Sequence, residues 1–255
     1  MRELVERNPW TRLRRFTPAR IALGRAGHSL PTEELLRFGL AHAQARDAVH
    51  LPFDPQQIEA ALHGLQIDSV IVHSAAVDRL QYLRRPDLGR RLDESSRALL
   101  RAARSEPPPE LVLIIADGLS SHAVHRHALP MLANVLPALR AQAWRLAPVV
   151  IAQQSRVALG DDIGELLGTQ LAAVLIGERP GLTSPDSLGI YLTYGPKVGR
   201  LDSQRNCISN IRPEGLGYQA AARELLYLLA EARRLRLTGV GLKDDSDVPS
   251  LTRED

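Results

Sequence analysis

Apolar positions follow one rhythm in the first hundred residues of this chain and another afterwards, with the change near residue 105. In "PTEELLRFGLAHAQARDAV", Leu35, Leu36, Leu40 and Ala43 recur at helical spacing behind Thr32, Glu33 and Glu34, which predicts a helix starting near Thr32. "DPQQIEAALHGL" predicts a second, short helix, with Asp54 as N-cap, Pro55 in the first turn and Gly64 near the end. "HSAAVDRLQYLRRPDLGRRLDESSRALLRAAR" predicts one helix ended by Pro86 and another opened at Asp93 or Ser95. Residues 1–104 are thus expected to form a small, mainly helical N-terminal region. It ends in "SEPPPEL", where three prolines cannot continue a helix.

From 105 to 255 the pattern alternates strand and helix. "LVLIIA" (111–116), "LAPVVIAQ" (146–153) and "LAAVLIGE" (171–178) are continuous apolar runs, as expected of strands covered on both faces. Helical stretches, "SSHAVHRHALPMLANVLPALRAQ" and "VALGDDIGELLG", separate them. A fourth strand is expected at 188–194, followed by a loop, a helix from Glu214–Gly217 turning Leu225, Leu226, Leu228 and Leu229 inward, and a charged, mobile tail, "KDDSDVPSLTRED". The fold class is α/β: a Rossmann-like open, mostly parallel sheet with helices on both faces. Ligands of such sheets sit outside the carboxyl ends of the strands. Those ends are Asp117-Gly118-Leu119-Ser120, Gln153 to Val157, and Gly177-Glu178-Arg179-Pro180.

Composition narrows the function classes. Of 32 basic residues only Lys197 and Lys243 are lysines, against 29 acidic residues and a net charge of +3. Thirty arginines supply planar forks for carboxylate or phosphate. Aromatics make up 4%, too few for a stacking platform on nucleic acid. The single cysteine, Cys207, excludes an internal disulfide. No apolar run is long enough for a membrane span, and the opening residues lack the apolar core of a secretory signal, so a cytoplasmic protein is expected. The arginine-rich opening (Arg2, Arg12, Arg14, Arg15, Arg20) reads as a partly ordered or partner-bound tail, or else as a targeting leader.

Familiar catalytic motifs fail in turn. The first strand-to-helix turn, "ADGLSSH", has one glycine where a dinucleotide fingerprint needs three. Ser120 lacks the second glycine of a nucleophile elbow. There is no phosphate-binding P-loop. His122 and His125 share a helical face, but His127 points roughly 140° from His122, a poor three-ligand metal site. What remains is a prepared sheet edge without a catalytic set, as in a module that holds part of a large ligand while another chain does the chemistry.

Several long strings, "TPARIALGRAGHSLPTEELLRFGLAHAQARDAVHLPFD" (17–54), "RRPDLGRRLDESS" (84–96), "IIADGLSSHAVHRHALPML" (114–132), "RVALGDDIGELLG" (156–168), "IGERPGLTSPDSLGIYLTY" (176–194) and "RNCISNIRPEGLGY" (205–218), resemble the light chain of ethanolamine ammonia-lyase over nearly the whole sequence. The resemblance implies an adenosylcobalamin-dependent radical enzyme that converts ethanolamine to acetaldehyde and ammonia. It implies a large subunit carrying the substrate site, a hexamer of heterodimers, and a small subunit that helps enclose the cofactor. Family members with a longer leader enter a bacterial microcompartment; this N-terminus looks shorter, and residues 1–16 are the candidate leader.

Carried over position by position, the resemblance places cobalamin contacts at Val157 of "RVALG", Glu178 of "GERPG" and Cys207 of "RNCIS". Glu178 is alternatively a carboxylate paired with Arg179 or Arg205, and Cys207 a small buried apolar residue. The sheet-edge argument adds Asp117, Gly118 and Ser120, which either touch the ligand or cap the following helix. Arg156 and Arg212 face either the cofactor's phosphate or a carboxylate of the large subunit. The D-x-H-x-x-G string that supplies a histidine to cobalt in many cobalamin domains is absent, so dimethylbenzimidazole is expected to stay on cobalt. Two rival readings are a stand-alone α/β binding module and a hydrolase built on Ser120 and His122.

Overall fold

The computed structural model describes residues 4–244. Most of the expected charged tail, and the first three residues of the candidate leader, lie outside them. Six strands form one sheet: β1 (Ser69–His73), β2 (Leu111–Ala116), β3 (Val149–Gln153), β4 (Leu171–Gly177), β5 (Leu188–Tyr194) and β6 (Arg205–Ile211), in the order β1-β3-β2-β4-β5-β6. The first four in that order run parallel, β5 runs antiparallel to β4, and β6 runs antiparallel to β5.

Alternation along β2 sends Leu111, Leu113 and Ile115 to one face, and Val112, Ile114 and Ala116 to the other. The first face is covered by α2 (Pro55–Gly64), α5 (Ser121–Ala141) and α7 (Tyr218–Leu235). The second packs against α4 (Glu94–Ala102) and α6 (Leu159–Leu167). The class is therefore α/β with a mostly parallel sheet, as the apolar runs require. Both faces being covered is why β2 and β4 are buried along their whole length.

Local signals explain the helix boundaries. The Asp54 side chain accepts from Gln57 N at the start of α2, the Asp78 side chain from Gln81 N at the start of α3 (Arg79–Arg84), and the Asp93 side chain from Ser96 N at the start of α4. Gly168 closes α6 in the left-handed conformation. Helix α1 (Thr32–His50) begins where its pattern predicts but buries only Glu34 and Ala48, and Leu35, Leu36, Phe38 and Leu40 stay exposed.

Two strands correct the sequence reading. Residues 69–73, expected in a helical region, are edge strand β1, paired in parallel with β3. Residues 205–211, expected as loop, are β6. Both are weakly encoded: β1 has five residues, and β6 buries only Arg205, Ile208 and Ile211, because a register shift opposite Leu188–Ile190 breaks its alternation.

Candidate functional site

Helix α5, which follows β2, lies on one face of the sheet, and α6, which follows β3, lies on the other. The two loops therefore part at the carboxyl ends of adjacent strands and open a crevice. A cavity of 420 Å³ sits there, lined by Tyr82, Gly118, Leu119, Arg156, Val157, Ile176, Gly177, Glu178, Arg179 and Tyr191.

Asp117 forms the floor. Its carboxylate is 1% exposed and accepts from Gly118 N (2.9 Å), Ser155 N (2.8 Å), Gln154 N (3.0 Å) and Arg79 Nη1 (3.4 Å). Burial pushes its pKa up to about 6, against the pull of these four donors. One carboxylate thus ties the end of β2 to the loop after β3 and to α3. Arg79 extends the tie by donating to Gly118 O (2.8 Å) and Val49 O (2.9 Å).

Gly118 turns with φ +57°, and a Cβ there would collide with Gly177 O; one at Gly177 would collide with Ser120 O. Glycine at both positions lets the loop after β2 pack backbone to backbone against the end of β4. Ser120 is fully buried and caps α5 by accepting from Ala123 N (3.2 Å), while its hydroxyl donates to Pro185 O (3.3 Å). Its side chain faces protein rather than the cavity, and no hydrogen bond joins it to His122 among the described residues.

Tyr82, reached by no sequence signal, forms the crevice wall. It is fully buried, donates its hydroxyl to Ser155 O (3.1 Å), and carries the guanidinium carbons of Arg79 and Arg156 at 4.8 and 4.2 Å from its ring centre. Burial, then the nearby Asp117 carboxylate, raises its pKa. Around this cluster three buried polar atoms lack partners: Arg79 Nη2, Gln154 Oε1 and Arg156 Nε.

Glu178, at the end of β4, accepts from Ser209 Oγ and from Asn210 N at 3.2 Å, so it reaches β6. It pairs with neither Arg179 nor Arg205. Arg205 is instead held on Asp161 at 2.6 and 2.7 Å. Cys207, exposed rather than buried, stands opposite Tyr191 across the β5–β6 ladder. Desolvation raises its pKa, the Glu178 and Glu224 carboxylates add to this, and the hydrogen bond with Tyr191 opposes it, which leaves a neutral thiol rather than a nucleophile.

The crevice thus brings together Gly118, Val157 and Glu178. Asp117 and Ser120 lie beneath its surface, and Cys207 lies beside Tyr191 at its β6 side. Arg156 lines the cavity, whereas Arg212 donates to Asn210 Oδ1 (3.0 Å) and Thr183 O (3.4 Å). The three histidines scatter. His125 Nε2 accepts from Asp54 N (3.1 Å), His127 Nδ1 meets the Tyr218 hydroxyl (2.7 Å), and no cluster of metal-ligating side chains occurs among the described residues. No helix of the described residues is long and apolar enough to cross a membrane.

A family described as ethanolamine ammonia-lyase light chain matches residues 7–243. The ethanolamine ammonia-lyase small subunit of Ralstonia nicotianae is 58% identical over 249 residues, covering 97% of this chain and 92% of that one. Those of Pseudomonas fluorescens strain Pf0-1 (58%, covering 97% and 91%) and Azotobacter vinelandii (56%, covering 96% and 91%) are similar. With a match across nearly its whole length, the chain belongs to the ethanolamine ammonia-lyase light-chain family.

Proposed function

We propose that this chain works as the small subunit of an adenosylcobalamin-dependent ethanolamine ammonia-lyase, and that its carboxyl-end crevice holds part of the cofactor against a large subunit carrying the substrate site. The observation that carries the reading is the crevice itself, which joins family membership to a ligand edge lined by Arg156, Glu178 and Arg179, with no catalytic set among the described residues. The residues present suit a corrinoid, with the guanidiniums of Arg156 and Arg179 and the Glu178 carboxylate lining a cavity for a ligand rich in amides and bearing one phosphodiester. At 420 Å³ the cavity takes a portion of such a ligand, which is why a second chain is needed to enclose it.

When bound, adenosylcobalamin supplies a weak cobalt–carbon bond as the source of radical chemistry. This chain's share is positional. Val157 and Leu119 offer apolar walls that exclude water, Glu178 holds β6 against the end of β4 and presents a carboxylate edge to ligand amides, and Asp117 keeps the two loops in register. Cys207 and Tyr191 extend the same surface. None of the lining residues is a histidine, so this surface would offer no imidazole to the cobalt of a bound corrinoid. Coupling of cob(II)alamin to a protein histidine nitrogen in its electron paramagnetic resonance spectrum would contradict that. We place the working assembly, a hexamer of heterodimers, in the cytoplasm or a bacterial microcompartment.

The test is release of ammonia and acetaldehyde from ethanolamine plus adenosylcobalamin by this chain alone, by the large subunit alone, and by both. Activity confined to the mixture is expected. Ester hydrolysis by this chain alone, lost in Ser120→Ala, would favour the hydrolase reading instead. A folded monomer that never associates with a large subunit would favour a stand-alone binding module.

A further inference from the structure

We propose that Arg156 is the anion-recognition arm of the crevice and that the group it takes is the phosphodiester of a corrinoid's nucleotide loop, an inference that rests on the cofactor reading above. Arg156 lines the cavity beside Val157, Glu178 and Arg179. Its guanidinium is fixed before any ligand arrives, lying over the Tyr82 ring at 4.2 Å and donating through Nη2 to Tyr82 O at 3.3 Å. Its backbone is held by donation to Gly89 O at 2.8 Å. A Cβ on Gly89 would come within 2.9 Å of Arg156 Cγ and 3.0 Å of Tyr82 Cδ2, so glycine there is what lets the arginine lie flat.

Two features of the site select an anion. Arg156 Nε is buried without a partner in the protein, so no carboxylate or carbonyl of this chain holds that edge of the guanidinium. The charges lining the cavity are Arg156, Arg179 and Glu178, and Glu178 already accepts from Ser209 and Asn210, whereas Arg179 makes no ion pair among the described residues. The unspent capacity is two guanidiniums. Corrin side-chain amides are neutral and need no such pair, while a phosphodiester oxygen matches a guanidinium fork in both charge and geometry.

The experiment measures binding to the assembled complex of this chain with the large subunit, followed by absorbance, using three probes. Cyanocobalamin carries the whole nucleotide loop, cobinamide phosphate keeps the phosphate without the base, and cobinamide lacks both. Arg156→Gln is expected to weaken the first two by roughly tenfold or more and to leave cobinamide within about twofold of the wild-type complex. Arg156→Lys, which keeps the charge but not the fork, is expected to fall between and serves if the glutamine protein folds poorly.

Equal weakening of all three probes would overturn the inference, because Arg156 would then touch the corrin or merely support the loop. Unchanged binding of all three, with loss of co-elution of the two subunits, would overturn it in favour of a large-subunit carboxylate as the arginine's partner. A wild-type complex that binds none of the probes would overturn the cofactor reading itself, and this inference with it.

Discussion

Two buried arginine–carboxylate centres in this molecule have the same chemistry and opposite character. Arg205 and Asp161 are both 2% exposed at the side chain and meet in a bidentate pair, with Thr193 and Arg200 O supplying the further partners of the guanidinium. Arg205 Nε, the remaining donor, has no hydrogen-bond partner and lies 3.5 Å from the exposed Asp202 carboxylate. That pair is closed on itself by the bidentate contact, contributes no residue to the cavity lining, and joins β6 to the start of α6. Arg79 and Asp117 meet at only 3.4 Å, the carboxylate is occupied mainly by three backbone amides, and Arg79 Nη2, Gln154 Oε1 and Arg156 Nε around it have no partner. The first centre holds the fold together. The second aligns two loops beside the cavity that Arg156 lines, and that position, rather than unpartnered atoms alone, ties it to the ligand site.

Removing one half of the closed pair should have the largest effect. Arg205→Ala strands a buried carboxylate and is expected to cost about 3–5 kcal/mol of unfolding free energy in urea titration. Corrinoid affinity of the complex that still folds should change little. A loss below about 1 kcal/mol would erase the distinction between the two centres.

Asp117 tests the open centre through pH. Its carboxyl is raised to about 6 in the folded chain from an ordinary value of 3.8, so the native state holds the proton more tightly than the unfolded chain. The stability it contributes is fully present below about pH 4 and is lost as pH rises through about 6. The stability of wild type relative to Asp117→Asn should therefore fall by about 3 kcal/mol across that window. A flat or rising difference would contradict the burial argument.

Glu178→Gln should matter least to stability, by less than about 1 kcal/mol, since an amide oxygen still accepts from Ser209 and Asn210. Binding of cyanocobalamin to the assembled complex is expected to weaken several-fold. Loss of stability with affinity intact would move Glu178 from the ligand edge to the framework.

Much of this architecture was legible from residue order. The runs at 111–116 and 171–177 are apolar throughout because they are covered on both faces, and Asp54 and Asp93 open their helices by local chemistry that a short window reveals. The crevice ends followed from those strands. The wall did not. Tyr82 and Arg79 sit on a six-residue helix after an unrecognised edge strand, and they reach Ser155 and Asp117 across separations of 73 and 38 residues. The partner of Arg205 was equally hidden, because pairing with Asp161 depends on β6 being a strand, and its burial at Arg205, Ile208 and Ile211 recurs every third residue rather than at a strand's period of two. Long-range pairing between weakly encoded elements is set by the sheet, not by neighbours in sequence.

The central claim is that cofactor sits at the carboxyl ends of β2, β3 and β4, and hydrogen exchange of the assembled complex with and without adenosylcobalamin tests it most directly. Protection gained by amides in residues 117–120, 154–158 and 177–182, with little change around Arg205–Asp161, is the expected result. No protection at those loops, or protection confined to the opposite end of the sheet, would contradict the account.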